Sequence, residues 1–156
     1  MFSQRERKRK MAKKYEKLFA TKDKPGYRYP AYMHPNPKTT RRSVYIDQDT
    51  VPGAEFGCEN FWLVPGGPKE QKLMDANTEK YDRYFGFYSL NYDNIRDLCA
   101  EMEVYIGGEK HTVKQSGAMF IPGGLEVGPI TFRNITKPIF FTIEFPCGKG
   151  LDKKYV

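Results

Sequence analysis

A chain of 156 residues, 39% hydrophobic and 15% aromatic, is sized for one domain with a buried core and is too aromatic for a disordered protein. No apolar run approaches the roughly 20 residues of a membrane-spanning helix, and the charged beginning lacks the apolar stretch of a secretory signal. Cys58, Cys99 and Cys147 are widely spaced, which argues against a disulfide framework or zinc site and favours the cytoplasm.

The net charge of +7 is concentrated in one segment. Residues 1–24 carry ten Lys and Arg against three acidic residues, and the rest of the chain is balanced. This basic arm has no glycine or proline, and its apolar residues follow a helical spacing, at Met11, Tyr15, Leu18 and Phe19. We therefore predict a short amphipathic helix that docks on the domain or on a neighbouring subunit. Contact of the arm with nucleic acid or an anionic membrane is a weaker alternative.

Residues 25–41 form a proline-rich segment, with four prolines between Lys24 and Lys38. Proline removes donors from a strand ladder, so an extended linker is expected here. His34 lies in this segment without neighbouring ligand residues, and we interpret it as an exposed loop histidine.

Residues 42–148 are dominated by short alternating segments separated by Gly, Pro, Asn and Asp. This pattern favours an all-β domain, a sandwich or jelly roll, followed by a tail at 149–156. We predict eight strands, within residues 41–48, 54–64, 79–90, 99–108, 109–115, 117–122, 128–136 and 137–146.

The stretch GAMFIPGGLEVGP, residues 117–129, carries a family resemblance. Gly117, Pro122 and Gly124 resemble the second conserved motif of the cupin superfamily, and residues 42–147 together resemble small bacterial cupins. The resemblance implies a single jelly-roll β-barrel that forms homodimers or other homo-oligomers through its sheet faces.

The resemblance also implies four metal-ligand positions, normally three histidines and one glutamate. In this chain they fall at Asn77, Glu79, Arg83 and Val127. Valine has no lone pair and arginine is permanently protonated, so neither can coordinate a metal. The second of the two histidines, His111, falls in a hairpin directed away from this position. We therefore predict no metal and no other cofactor.

In a cupin these positions converge inside the barrel, so Arg83 is expected to point inward with Glu79 as counter-ion and to accept a small carboxylate. The alternative is that Arg83 turns outward and pairs with Asp82 or Glu79 at the surface. Strand alternation also predicts that Phe85, Phe87, Pro129, Thr131 and Arg133 face inward, and it places Trp62 with Cys58 and Asn60. The predicted ligand-binding set is Arg83, Glu79, Asn77, Val127, Thr131, Phe85 and Trp62.

These observations favour a metal-free cupin-domain protein that binds a small anionic or aromatic molecule. One alternative is a structural subunit that pairs with another cupin. The other is an enzyme with rewired metal ligands, or with metal-independent acid–base chemistry by Glu79 or a tyrosine. No residue is assigned a catalytic role.

Overall fold

The computed structural model describes residues 13–148, and the regular structure in this range is almost all strand. One turn of 3₁₀ helix, Glu16–Leu18, precedes the strands. The strands are β1 (Thr40–Ile46), β2 (Phe56–Leu63), β3 (Glu70–Met74), β4 (Arg83–Ser89), β5 (Asp97–Ile106), β6 (Glu109–Gln115), β7 (Gly117–Ile121), β8 (Val127–Arg133) and β9 (Ile139–Pro146).

The strands form two antiparallel sheets, in the orders β1-β2-β9-β4-β7 and β3-β8-β5-β6. The predicted all-β class is confirmed. The predicted closed barrel is wrong, because the two sheets share no strand and each keeps two edges. The strand that was not predicted is β3, a short edge strand of mixed composition that carries no clear alternation.

Alternate side chains of both sheets meet in one core. Phe141 of β9 lies near its centre, with the rings of Phe61, Phe85 and Phe132 at centroid distances of 5.2, 6.2 and 6.0 Å. Phe132 belongs to the four-stranded sheet, so these rings join the two layers. Burial of four such rings is a large part of the hydrophobic stabilisation of the sandwich.

The proline-rich segment closes one side of the sandwich. Met33 forms a bridge with Met74 of β3, and the backbone N–H of His34 donates to the carbonyl of Leu73 at 2.8 Å. We call residues 25–39 the strap. His34, expected to be without a partner, lies 2.5 Å from the Asp75 carboxylate, and both side chains are exposed.

The predicted arm helix is not supported. Met11 falls outside the described residues, and within residues 13–24 the single 3₁₀ turn has no side-chain cap and leaves Tyr15, Leu18 and Phe19 exposed. A short isolated helix is marginal in water without packing of its apolar side, and repulsion among neighbouring lysines weakens it further. Within residues 13–148 no helix is long and apolar enough to cross a bilayer.

Candidate functional site

Three of the four positions assigned by the resemblance come together at one end of the sandwich. Asn77, in the connection from β3 to β4, forms a two-way backbone bridge with Val127, with N–O distances of 2.9 and 3.0 Å. Arg83 is the first residue of β4, and its Nη1 donates to Oδ1 of Asn77 at 2.6 Å. The side-chain amide of Asn77 in turn donates to the carbonyl of Asp75.

Arg83 points inward and is only 2% exposed, so the outward alternative is wrong. Its Cζ lies 5.3 Å from the centre of the Phe85 ring. Nε and Nη2 are buried without a hydrogen-bond partner, and no carboxylate within residues 13–148 pairs with the guanidinium. The expected counter-ion, Glu79, is itself buried but makes no such pair, which corrects that prediction.

The glycine corner between β7 and β8 fixes the segment that leads into Arg83. The N–H of Gly123 donates to the Asp82 carboxylate at 2.8 Å, and a Cβ at this glycine would lie 2.4 Å from the Lys80 carbonyl. Gly124 has φ +85°, which glycine adopts at little cost. The corner therefore clamps the chain just before β4 and holds Arg83 at the start of that strand.

The residues present do not fit a metal ion. The oxygen of Asn77 is engaged by the guanidinium, Val127 offers only hydrocarbon, and Arg83 brings a fixed positive charge. In the part of the chain that is described, no three His, Cys, Asp or Glu residues gather closely enough to hold a metal.

Two packed antiparallel sheets with the glycine corner at β7–β8 agree with the all-β class predicted from the sequence, although the sheets do not close into the expected barrel. The chain is an all-β sandwich of two antiparallel sheets.

Comparison with models of protein families gives no match, and neither does comparison with curated proteins. Similar solved structures include a cupin protein from Bacteroides fragilis, 14% identical, over 80% of this chain and 91% of that chain, with a TM-score of 0.46. Recombinant oxalate oxidase in complex with glycolate is 15% identical, over 84% and 60%, with a TM-score of 0.47. Polyketide cyclase RemF from Streptomyces resistomycificus is 14% identical, over 83% and 84%, with a TM-score of 0.45. At these values the similarity carries no inference about activity.

Within the sandwich, the inward orientation expected for Thr131 and Arg133 is wrong. On β5, Val104 and Ile106 are two residues apart, but their partners on β8, Ile130 and Val127, are three apart. The extra residue of this β-bulge moves every later side chain of β8 to the other face. Ile130 and Phe132 enter the core, while Arg133 pairs outside with Glu70 and Glu103.

The strand β2 also presents the opposite face from the one expected. Trp62 shares a face with Cys58 and Asn60, as predicted, but Phe61 and Leu63 occupy the core. Trp62 therefore lies on the outer surface of the sheet, 4.8 Å from the ring of Phe140. This orientation removes Trp62 from the interior site.

Phe85 and Phe87 do face the interior of the sandwich, as expected. They are 0% and 4% exposed and extend the apolar wall that begins at Arg83. The guanidinium of Arg83 and the ring of Phe85 together offer a cationic group beside an aromatic surface.

Glu59 is a second buried charged group, and the sequence analysis missed it. It lies on the inner face of β2, opposite Tyr45 of β1 and Ile143 of β9, and is 1% exposed. Burial raises the pKa of Glu59 to about 7, against the opposing effects of Tyr27 and Arg42. A carboxylate at an otherwise apolar position of a strand was the available signal.

The open side of the fold, between the edges of β6 and β7, contains a groove of about 310 Å³. We call it the β6–β7 groove. His111 lies in its wall, with Nε2 3.2 Å from Oε1 of Glu109, and Gln115 is a second polar residue there. The apolar part of the wall is formed by Phe87, Met102, Val104, Ile106, Val113 and Met119.

Proposed function

We propose that this chain is a metal-free cupin-domain protein that binds a small molecule through a carboxylate, with Arg83 as the anchoring residue. The observation that carries the proposal is the state of that guanidinium: it is buried, holds a single amide partner, and presents Nε and Nη2 without acceptors. An unpaired charge inside a protein costs several kcal/mol, so a fold retains one where a ligand supplies the opposite charge.

The geometry of the free atoms supports a carboxylate. Nε and Nη2 form one edge of the guanidinium fork, and this edge can donate two parallel hydrogen bonds to the two oxygens of a carboxylate. Asn77 occupies Nη1 and so holds the plane of the fork. The ring of Phe85 beside it supports an aromatic or otherwise apolar body next to the anionic group.

Calorimetric titration with benzoate and its neutral isostere benzamide tests the proposal. We expect benzoate to bind and benzamide to bind at least tenfold more weakly. Arg83→Met removes the preference, and Arg83→Lys retains part of it because lysine keeps the charge but not the fork. Arg96→Met, which removes an exposed arginine from the loop before β5, is the matched control. Equal binding of the two probes, or unchanged binding by Arg83→Met, would refute the proposal.

The metal-free state is a separate part of the proposal. Elemental analysis of the purified protein is expected to find no stoichiometric transition metal. One metal ion per chain, lost on substitution of Asn77 or Glu79, would instead favour an enzyme with rewired ligands.

Association with a second copy is a second candidate role, supported by the outer face of the five-stranded sheet. Six aromatic side chains lie at alternate positions of four neighbouring strands, and Phe56 and Phe120 among them are 75% and 63% exposed. An exposed apolar patch of this kind is typical of an interaction surface. The set is Phe56, Trp62, Tyr84, Tyr88, Phe120 and Phe140.

Analytical ultracentrifugation tests this association. We expect a dimer or higher oligomer that Phe120→Glu dissociates, while Tyr92→Glu, at an exposed loop position, leaves it intact. A monomer at all concentrations would contradict the self-association. A cytoplasmic location also remains part of the proposal and is supported by the wide spacing of Cys58, Cys99 and Cys147, which argues against a disulfide framework.

A further inference from the structure

The β6–β7 groove ends next to the residues that surround Arg83. Ile106, in the wall of the β6–β7 groove, pairs with Val127, and Val127 bridges to the Asn77 that holds Arg83. On the facing sheet, Met119 of the groove pairs with Phe85. The groove therefore approaches the neighbours of Arg83 from both layers.

The strap covers only one of the two sides of the sandwich. At the β1 and β3 edges, Tyr27 packs on Tyr45 and Met33 bridges to Met74. At the β6 and β7 edges the groove opens between the layers, with apolar side chains along its length and polar residues in its wall. This is the side from which an apolar molecule can enter without displacing the strap.

Given the proposed carboxylate site at Arg83, on which this rests, we infer that the ligand is an amphipathic carboxylate whose apolar body lies in the β6–β7 groove. The carboxylate meets Nε and Nη2 of Arg83, which are buried and without acceptors. The hydrocarbon part follows Met119 toward Val113 and the edge of the groove. Charge at one end and an apolar wall along the rest select this class over small hydrophilic acids.

Gly117 provides a way to fill the groove without straining the backbone. It lies in the groove wall with an unstrained φ, and a Cβ built there meets only the Phe87 ring, at 3.6 Å. Gly117→Leu thus places a side chain in the space assigned to the hydrocarbon. Thr112→Leu adds the same bulk to β6 at an exposed position between two groove residues and is the matched control.

Calorimetric titration of the full chain with acetate, butanoate, hexanoate and octanoate tests the inference. Affinity should rise about fourfold for each added methylene, from about 0.8 kcal/mol of burial, until the groove is filled. Gly117→Leu should abolish that rise and leave acetate unchanged, Thr112→Leu should preserve it, and Arg83→Met should weaken every member. Thermal unfolding of each variant verifies that it is folded.

The outcomes separate the two proposals. Arg83-dependent binding that does not change with chain length would overturn the groove inference and leave the carboxylate site standing. A rise with chain length that persists in Gly117→Leu would also overturn it, because the hydrocarbon would then lie elsewhere. Absence of Arg83-dependent binding for every carboxylate would remove both.

Discussion

Two arginines of the five-stranded sheet, Arg42 and Arg83, each lie against an aromatic ring. They differ in the hydrogen-bond partners that the chain supplies for the guanidinium group. Arg42, on edge strand β1, stacks 3.7 Å from the Tyr27 ring, and its Nε and Nη2 both donate to Asp23, at 2.9 and 2.6 Å. Arg83, on β4 near the opposite edge, also lies over an aromatic ring but has one amide oxygen as its partner.

The difference separates a structural arginine from a binding one. Asp23 and Tyr27 belong to the segment that folds over β1, so the chain itself supplies a carboxylate for the charge of Arg42, although its Nη1 is buried without a hydrogen-bond partner. No carboxylate of residues 13–148 does this for Arg83, although that residue is the more deeply buried of the two. The predictions below test whether the chain itself supplies the carboxylate partner that Arg42 needs, and whether it leaves Arg83 without one.

The largest expected effect concerns Glu59 at the Arg42 end. Burial raises its pKa to about 7, from 4.5 in the unfolded chain, so between these values the folded state holds the extra proton. The free energy of unfolding should therefore fall as pH rises through this window, by about 3 kcal/mol in all, and level off above it.

Denaturant titrations between pH 4 and 8 measure this loss. Glu59→Gln, which resembles the protonated acid, should remove it, while Glu144→Gln, at an exposed position of β9, should keep it. If the free energy of unfolding of the wild-type protein does not fall through this window, Glu59 ionises without penalty in the folded state. Water would then reach this carboxylate, against its burial.

The next largest effect comes from removing the unpaired charge. Arg83→Met replaces a buried guanidinium with an apolar chain of similar length, and we expect the ligand-free protein to gain about 2 kcal/mol of unfolding free energy. Arg83→Lys, which keeps the charge, should not share the gain. A loss of stability in Arg83→Met would mean that the chain already compensates this charge, against the comparison above.

Arg42→Met should have the opposite sign. Loss of the two hydrogen bonds to Asp23 and of the stacking on Tyr27 is expected to lower the free energy of unfolding by about 1.5 kcal/mol. Because Arg42 acts to lower the pKa of Glu59, that pKa should rise further in the variant. Urea unfolding, with an NMR titration of the Glu59 carboxyl, measures both. Equal signs for the two arginine variants would remove the distinction between them.

Much of the fold could be predicted from local pattern, and the site only in part. Alternation and turn residues give the strands, and the glycine corner marks the turn that holds Arg83. The meeting of Asn77, Arg83 and Val127 follows from the family spacing. It could be anticipated without knowledge of the side-chain contacts.

What could not be predicted depends on neighbouring strands. Thr131 is reversed because one extra residue near Gly128, at φ +99°, shifts the pairing with β5, and no alternation rule locates that bulge. Trp62 and Glu59 lie on opposite faces of β2, and the large aromatic side chain is the one expected to face the core. Which face is buried is decided by the partner strands, and here the carboxylate is the one inside.

The smallest expected effect concerns Lys24, which forms the second ionic contact, after the Asp23–Arg42 pair, between the segment that precedes the strap and the rest of the domain. Burial acts to lower the pKa of Lys24, but Asp47 and Asp49, at 2.7 and 3.0 Å, raise it overall. Lys24→Met should cost about 0.5–1 kcal/mol of unfolding free energy at low salt, because the ammonium is mostly covered and one partner is buried. The cost should shrink at high salt, since ions screen the more exposed pair with Asp49.

Lys22→Met, at an exposed neighbouring position, should change the free energy of unfolding by less than Lys24→Met at either salt concentration. If Lys24→Met lowered the free energy of unfolding as much as Arg42→Met, the lysine would be the residue that anchors this segment. Arg42 would then no longer serve as the arginine whose partners hold the structure together, and its contrast with Arg83 would fail.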